Sequence, residues 1–428
     1  MDMNGVALSS YSDRVATAVT GSLNGLLRFD RTMVTALDDL DRDETEQPIV
    51  VILRAYMYLL GGVRPPVDVI EALRRIDSTQ VSLLESAHLD TIRHLLHGAY
   101  GLAGDTLLEI SRQFPTDELA LAAGHQVDFL TGATETLLTR LSSSPLLTEG
   151  TTETYPYLLA MLAFAYGENN EFAKAYTAGS RALALAPDDN PWAVHACAHA
   201  LFESRDNHAV SALLSSTRSR WNSESCLLRT HLSWHHALNS MAEADHDALA
   251  GLTAEVTRVL ETECSAMQFC DAVSLLWRLR LAGIAGPDDF AAVADKALEI
   301  RGASNSAFVD LHVLLAVIGA DLHDLATQLA KEIGADATDT AAHLIGTRRT
   351  AVGVAESFSY YCQSNPEEAT RRLISVLPAV VGVGGSMVQR DLALELLLTC
   401  DHGRGAELLI PAEVGLDRRP LVTYLRSR

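Results

Sequence analysis

Two pairs of histidines are spaced four residues apart in a chain that is otherwise rich in alanine and leucine. The first pair is His195 and His199, in PWAVHACAHALFES, and the second is His231 and His235, in RTHLSWHHAL. Residues i and i+4 share one face of a helix, so each pair can present two imidazoles side by side. Imidazole binds transition metals when neutral and also gains or loses a proton near neutral pH. The spacing therefore points to metal binding or to acid–base chemistry.

The two pairs also repeat at a fixed distance along the chain. His231 follows His195 by 36 residues, and His235 follows His199 by the same number. Another 36 residues lead from His235 to Asp271. If this distance is the length of a structural repeat, these residues occupy equivalent positions on successive helices, which pack about 8–10 Å apart. We therefore predict that the four histidines converge, with Asp271 nearby.

Other polar and aromatic side chains recur in the neighbouring apolar segments. Three interpretations of these residues and of the histidines remain open: acid–base catalysis on a bound substrate, metal binding, and a structural polar network. The residues predicted to carry out acid–base catalysis are His199, His235, Asp271, Asp310 and His312. The residues predicted to bind a substrate are His125, Asp128, Trp234, Trp277 and Arg390. The metal interpretation uses His195, His199, His231 and His235, with zinc or iron as the expected ion. The third interpretation is a structural polar network without a cofactor, because buried polar groups need partners.

The elements that position these residues are predicted to be helices. Periodic apolar runs, separated by Gly, Pro, Asn and Asp, are typical of helices joined by short turns. In segment 155–189 two such runs flank the turn GENNE, and Pro187 ends the second. This is the pattern of a tetratricopeptide unit, which is about 34 residues long. The first helices of the hairpins are predicted to begin near Glu118, Pro156, Pro191, Cys226, Ala266, Ser306, Ala351 and Ser386.

The predicted fold class is all-α, a tetratricopeptide-like α-solenoid. About nine or ten hairpins would stack into a right-handed superhelix, because each hairpin buries its apolar face only against its neighbours. The solenoid is expected to cover residues 46–428, and residues 1–45 are expected to form a polar cap or arm. The first helices are expected to line a concave cavity.

The composition of the chain limits which partners we expect it to bind and in which compartment we expect it to lie. The chain has 55 acidic and 33 basic residues, with a formal net charge of -22, whereas binding to nucleic-acid phosphates requires the opposite sign. No apolar run has the length of a membrane span, and no signal peptide is recognisable. The six cysteines form no C-x-x-C pair, as is usual in a reducing compartment. We expect a cytoplasmic protein without nucleic-acid or membrane partners, and its few lysines suggest a bacterial source.

The sequence resembles the tetratricopeptide repeat protein 38 family over roughly residues 110–400. The resemblance is carried by HQVDFLTG, ALALAPDDNPWAVHACAHAL, HLSWHHAL, CDAVSLLWRLRLAG, DLHVLLAVIGA and GGSMVQRDLALELLL. It implies an α-solenoid and no agreed biochemical activity. The chain departs from the family pattern at Phe202, where an acidic residue is usual, at Ser233, where tryptophan is usual, and at 239–242. These departures favour a specialised substrate.

Two functions from different classes follow from these patterns. The first is an enzyme of specialised biosynthesis, transforming a small-molecule ligand in the concave cavity by acid–base or metal-assisted chemistry. The second is a scaffold that binds a peptide segment in the same groove, and a homodimer is compatible with both. Peptide-binding arrays tend to carry Lys, Arg and Asn on their first helices, whereas here these helices carry His, Asp and Trp. This difference favours the enzyme.

Overall fold

The computed structural model of the chain describes residues 2–3, 6–7, 11–77, 79–150, 152–262, 264–335 and 342–401. The chain divides into two compact units. Unit 1 comprises Met1–Ala200 and Thr217–Arg229, and unit 2 comprises Leu201–Ser216 and Thr230–Arg428. The last part of the predicted solenoid, 402–428, lies outside the described residues.

Unit 1 is built from helices that follow a short antiparallel pair of strands, β1 (Asp2–Met3) and β2 (Val6–Ala7). Neighbouring helices along the chain, such as α6 and α7 or α11 and α12, pack against each other as hairpins. The helices are α1 (Asp13–Arg28), α2 (Thr32–Thr35), α3 (Arg42–Thr45), α4 (Pro48–Leu59), α5 (Val67–Arg75), α6 (Leu83–Leu96), α7 (Tyr100–Gln113), α8 (Glu118–Thr131), α9 (Thr134–Ser142), α10 (Pro145–Glu149), α11 (Tyr155–Glu168) and α12 (Phe172–Leu185).

Helices α13 (Pro191–Glu203) and α14 (Asn207–Trp221) contain residues of both units. Unit 2 continues with helices joined by short connections. In its described residues, 3₁₀ helices lie at Val259–Glu261, Pro287–Phe290 and Leu377–Val383. Its helices are α15 (Arg229–Ala242), α16 (His246–Arg258), α17 (Ala266–Leu281), α18 (Ala291–Ala303), α19 (Ala307–Gly319), α20 (His323–Ala335), α21 (Ala342–Cys362), α22 (Pro366–Val376) and α23 (Met387–Asp401).

The helix ends follow local capping chemistry. The side chain of Asn190, directly before α13, accepts a hydrogen bond from the backbone N–H of Ala193 at 3.0 Å. Ser265 and Gln268 form a reciprocal capping box at the start of α17. Helix α8 ends at Gly132, whose φ of 66° lies in the left-handed region that glycine adopts readily. Such caps satisfy backbone groups that a helix end would leave unpaired.

The all-α prediction is confirmed, apart from the two-residue strands near the N-terminus. Segment 155–189 forms the expected hairpin of α11 and α12, in which Ala175 and Ala182 are fully buried. Helices begin at Glu118, Pro191 and Ala266 as predicted, whereas α21 begins at Ala342 rather than near Ala351. The superhelix, its hand and the number of its hairpins stay predictions.

The N-terminal segment 1–45, expected to be a polar cap or arm, contains an amphipathic helix. One face of α1 is buried through Val15, Val19, Leu23 and Leu27. This face packs against α4, α8 and α11 of the same unit. Burial of apolar surface on this scale stabilises the position of α1 by several kcal/mol, at about 25 cal/mol per Å².

A search of the described residues finds no helix that is both long enough and apolar enough to cross a membrane.

Candidate functional site

The first histidine pair lies on α13, in unit 1. The side chains of His195 and His199 are buried, and their Nε2 atoms are 2.9 Å apart. The rings are nearly perpendicular, with centroids 4.5 Å apart. This distance fits a hydrogen bond in which one ring donates its N–H and the other accepts, so the pair holds a single proton between its facing nitrogens.

Aromatic rings of the same unit surround this pair. The ring of Phe164, from α11, stacks on His195 at 5.4 Å and meets His199 edge-on at 5.3 Å. The indole of Trp192, one turn before His195, lies 4.8 Å from the His195 ring. These ring contacts fix the planes of both imidazoles.

The second pair lies on α15, in unit 2, and has the same ring geometry. The rings of His231 and His235 are 4.7 Å apart and nearly perpendicular. His231 Nδ1 lies 2.9 Å from Oδ1 of Asp271, which α17 contributes. A carboxylate accepts, so Nδ1 of His231 carries the proton and donates it to Asp271. His235 is buried, whereas 15% of the His231 side chain is exposed.

The four histidines lie close enough to bind one metal ion. One possible ligand atom from each of His195, His199, His231 and His235 lies within 4.8 Å of the other three. We call these residues the four-histidine group. The proximity predicted from the 36-residue spacing is confirmed. Imidazole nitrogens in this number are a ligand set for zinc, iron, copper or nickel.

Asp310 and His312, predicted as catalytic residues, are held in α19 by partners of their own. The buried carboxylate of Asp310 accepts a hydrogen bond from Nε of Arg348 at 2.9 Å. The ring of His312 donates from Nδ1 to the backbone carbonyl of Phe308 at 2.8 Å. Burial lowers the pKa of His312 to about 4, so this ring is neutral at physiological pH. Neither residue belongs to the four-histidine group.

Asp128, predicted to bind substrate, forms a buried bidentate ion pair in unit 1. Its two oxygens accept from Nε and an N–H₂ group of Arg140, at 2.8 and 3.1 Å. The same guanidinium donates to the carbonyl of Gly104. Burial raises the pKa of Asp128, and the hydrogen bonds from Arg140 oppose that rise. Both oxygens of the Asp128 carboxylate are thus hydrogen-bonded to Arg140.

His125, also predicted to bind substrate, lies in the aromatic surroundings of the first pair. Its ring is 5.5 Å from Trp192 and 5.7 Å from Phe164. Burial, and then the charge of Arg140, lower the pKa of His125 to about 3, while a bond to the backbone of Met161 opposes this shift. His125 Nε2 makes no hydrogen bond to any described residue.

The remaining predicted substrate residues lie in unit 2. Trp234 and Trp277 are fully buried, and their N–H groups donate to Ser274 Oγ and to the carbonyl of Leu315, both at 2.9 Å. Both N–H groups are thus paired within the fold, and a role of Trp234 and Trp277 in substrate binding stays a prediction. Arg390 lines a small, mostly apolar cavity of about 30 Å³ together with His312, and it donates to the carbonyl of Gly385.

Several residues around the site were missed by the sequence analysis. Phe164 reads as one more apolar residue in YLLAMLAFAYG, and Trp192 as a core tryptophan. Arg140 and Arg348 carried no local signal, because each lies far along the chain from the carboxylate it pairs with.

A comparison of the chain with models of known protein families finds no match. The resemblance to the tetratricopeptide repeat protein 38 family therefore stays a prediction, carried by the motifs quoted above.

Proposed function

We propose that the protein is a metal-dependent enzyme that transforms a small molecule, with His195, His199, His231 and His235 as the metal ligands. The observation that carries the proposal is the approach of four imidazole nitrogens to within 4.8 Å of one another. One nitrogen from each of four histidines is a set of ligands that binds a divalent transition-metal ion.

The distances suit an ion such as zinc or iron. Metal–imidazole bonds of about 2.0–2.1 Å place neighbouring ligand nitrogens about 3.3 Å apart in a tetrahedral site. The Nε2 atoms of His195 and His199 lie 2.9 Å apart, so both would be placed to hold an ion once the proton between them had moved to Nδ1 of the ring that donates it. An ion of higher coordination number than four keeps positions open for substrate.

The hydrogen bond between His231 and Asp271 supports the same assignment. Histidine ligands commonly donate their second ring N–H to a carboxylate, which fixes the tautomer and makes the ligating nitrogen more basic. Asp271 Oδ1 accepts from His231 Nδ1 at 2.9 Å. Asp271 is thus a positioning residue, and His231, the least buried of the four, is the ligand nearest to solvent.

A bound ion would act as a Lewis acid or lower the pKa of a bound water. The protein's own residues supply the rest: Phe164 and Trp192 exclude water around His195, and Asp271 holds a proton on His231 Nδ1. His199 and His235, the acid–base candidates, take the role of proton-transfer groups only if no ion binds.

The test is a metal analysis of the intact chain by inductively coupled plasma mass spectrometry. We expect about one equivalent of a transition metal in the wild-type protein and a loss of most of it in His199→Ala and in His235→Ala. His97→Ala is the matched control, since His97 is an exposed histidine of unit 1, and it should retain the metal.

Circular dichroism on the same samples shows whether the variants are folded. A wild-type chain that stays metal-free after incubation with zinc and with ferrous iron would overturn the proposal. Folded His199→Ala and His235→Ala chains that retain a full equivalent would do so as well.

A further inference from the structure

Phe29, directly after α1, occupies a backbone position that usually holds glycine. The N–H of Phe29 donates to the carbonyl of Leu26 at 3.3 Å. The N–H of Asp30 donates to the carbonyl of Gly25 at 2.9 Å. This turn places Phe29 in the left-handed region, with φ of 53° and ψ of 50°. Glycine is favoured at this position because it has no Cβ to clash with the backbone. The chain therefore holds a phenylalanine in a conformation that is unfavourable for it.

Helix α8, in the same unit, ends in the same kind of turn but with glycine. The N–H of Gly132 donates to the carbonyl of Phe129 at 3.3 Å, and the N–H of Ala133 to that of Asp128 at 2.9 Å. The φ of Gly132 is 66°. The hydrogen bonds at the two helix ends thus match, and the difference between them is the side chain. Strained backbone of this kind persists where the surroundings fix it, so the contacts of the Phe29 ring explain why it is kept.

The ring of Phe29 contacts the aromatic residues around the first histidine pair. It stacks on Trp192, in the first turn of α13, with a centroid distance of 4.6 Å and an angle of 1° between the planes. The indole of Trp192 lies 4.8 Å from the ring of His195, at an angle of 31°. Trp192 therefore lies in contact with both Phe29 and His195, and stacked aromatic pairs of this kind have preferred orientations.

The backbone around Phe29 is fixed by a different part of unit 1. The carbonyl of Phe29 accepts from the N–H of Leu227 at 2.8 Å, and the N–H of Arg31 donates to the carbonyl of Ser225 at 2.9 Å. Segment 225–227 lies directly before α15, which begins at Arg229. The ring of Phe29 is thus held against Trp192 by backbone hydrogen bonds that do not involve α13.

We propose that Phe29 is a positioning residue of the four-histidine group, whose ring holds Trp192 and thereby fixes the ring of His195 in the orientation suited to a metal ion. Close packing keeps side chains in one orientation. Without the Phe29 ring, the indole of Trp192 loses its stacking partner, and both the indole and the His195 ring can turn. This inference rests on the proposed function, because it assigns a further residue to the metal site, and it makes that site depend on the N-terminal helix α1.

The first test is the zinc affinity of the intact chain, measured by competition with a chelator. Phe29→Gly removes the ring and suits the left-handed backbone, so circular dichroism should show a folded chain. Its zinc affinity should fall about tenfold, the lower end of the effect of residues that orient metal ligands. Phe29→Tyr keeps the aromatic ring and should retain wild-type affinity. Phe114→Ala is the matched control, since Phe114 is a half-buried phenylalanine directly after α7 of the same unit, and it should also retain wild-type affinity.

The second test needs no metal. Long-range ¹H–¹⁵N correlation spectra of the metal-free, histidine-labelled chain report the environment of each imidazole, and His195→Gln identifies the signals of His195. We expect these signals to shift in Phe29→Gly and to stay at their wild-type positions in Phe29→Tyr and Phe114→Ala. A purely structural role of Phe29 would lower stability without moving the His195 signals.

A folded Phe29→Gly chain with wild-type His195 signals, or with wild-type zinc affinity, overturns this inference. A loss of affinity in Phe29→Tyr as large as in Phe29→Gly also overturns it, because the tyrosine keeps the ring. A wild-type chain that binds no zinc counts against the proposed function, and the His195 signals then decide this inference alone. Zinc binding by the wild type, together with unchanged His195 signals in Phe29→Gly, removes this inference and leaves the metal centre.

Discussion

The four-histidine group and the buried carboxylates near it in the sequence differ in the side chains that they contact. Asp128 and Asp310 each accept hydrogen bonds from a buried arginine, Arg140 and Arg348 respectively. The histidines instead approach one another, and the buried carboxylate of Asp271 accepts a hydrogen bond from His231. A carboxylate paired with a buried arginine stabilises the fold, whereas four imidazoles that approach one another form a set of ligands suited to a metal ion.

The first test of this contrast is a substitution of Asp128. Replacing Asp128 with Ala should lower the free energy of unfolding by about 3–5 kcal/mol, because it leaves the guanidinium of Arg140 buried and unpaired. Urea unfolding measures the change, and the metal content per folded chain should not change. Asp90→Ala, at an exposed aspartate of α6, is the control and should stay within about 0.5 kcal/mol. A loss below 1 kcal/mol at Asp128 would mean that the ion pair contributes little.

The second test of this contrast is a substitution of Asp271. Asp271→Asn keeps the size of the side chain but removes its charge, so metal affinity should fall about 10–100-fold, as for other carboxylate–histidine pairs. Competition with a chelator of known affinity measures the change. Asp310→Asn is the matched comparison, and we expect it to lower stability without changing metal affinity. The assignment of Asp271 as a positioning residue is wrong if both variants retain wild-type affinity.

His312, a buried histidine outside the four-histidine group, predicts that the stability of the fold depends on pH. The pKa of His312 is lowered to about 4 in the folded chain, against about 6.5 when unfolded. Below pH 6.5 the unfolded chain therefore binds a proton that the folded chain does not, and stability falls as the pH drops from 6.5 towards 4. The loss should be up to about 1.4 kcal/mol per pH unit.

Urea unfolding of wild type and His312→Gln at pH 7.5, 6.5, 5.5 and 5.0 measures this effect. The difference in stability between the two proteins should shrink as the pH falls, since glutamine does not titrate. Parallel pH profiles for the two proteins would show that folding does not lower the pKa of His312.

The smallest expected effect compares two tryptophans. Trp234 donates from Nε1 to Ser274, whereas Trp192 Nε1 has no partner among the described residues. Trp234→Phe should therefore cost about 1 kcal/mol more than Trp192→Phe, the contribution of one hydrogen bond. Urea unfolding of both variants, without added ligand, measures this difference in stability. Equal losses would indicate that Trp192 Nε1 is satisfied in solution.

Much of the local structure could be predicted from the sequence. The apolar periodicity gave the helices, and the turn GENNE with Pro187 marked the limits of α12 and of its connection to α11. The start of α21 was misplaced: the predicted start near Ala351 lies inside the helix, which begins at Ala342. Caps and prolines act over three or four residues, so they can be read directly from the chain.

The sequence by itself determined that His195 and His199, and His231 and His235, lie side by side, because i and i+4 positions meet on any α-helix. Only the tertiary structure decided which buried carboxylate meets a histidine and which meets an arginine. It also decided that Trp234 finds a hydrogen-bond acceptor and that Trp192 stacks on Phe29 instead. These contacts join residues 12 to more than 150 positions apart, and such pairs depend on how whole helices pack rather than on any local spacing.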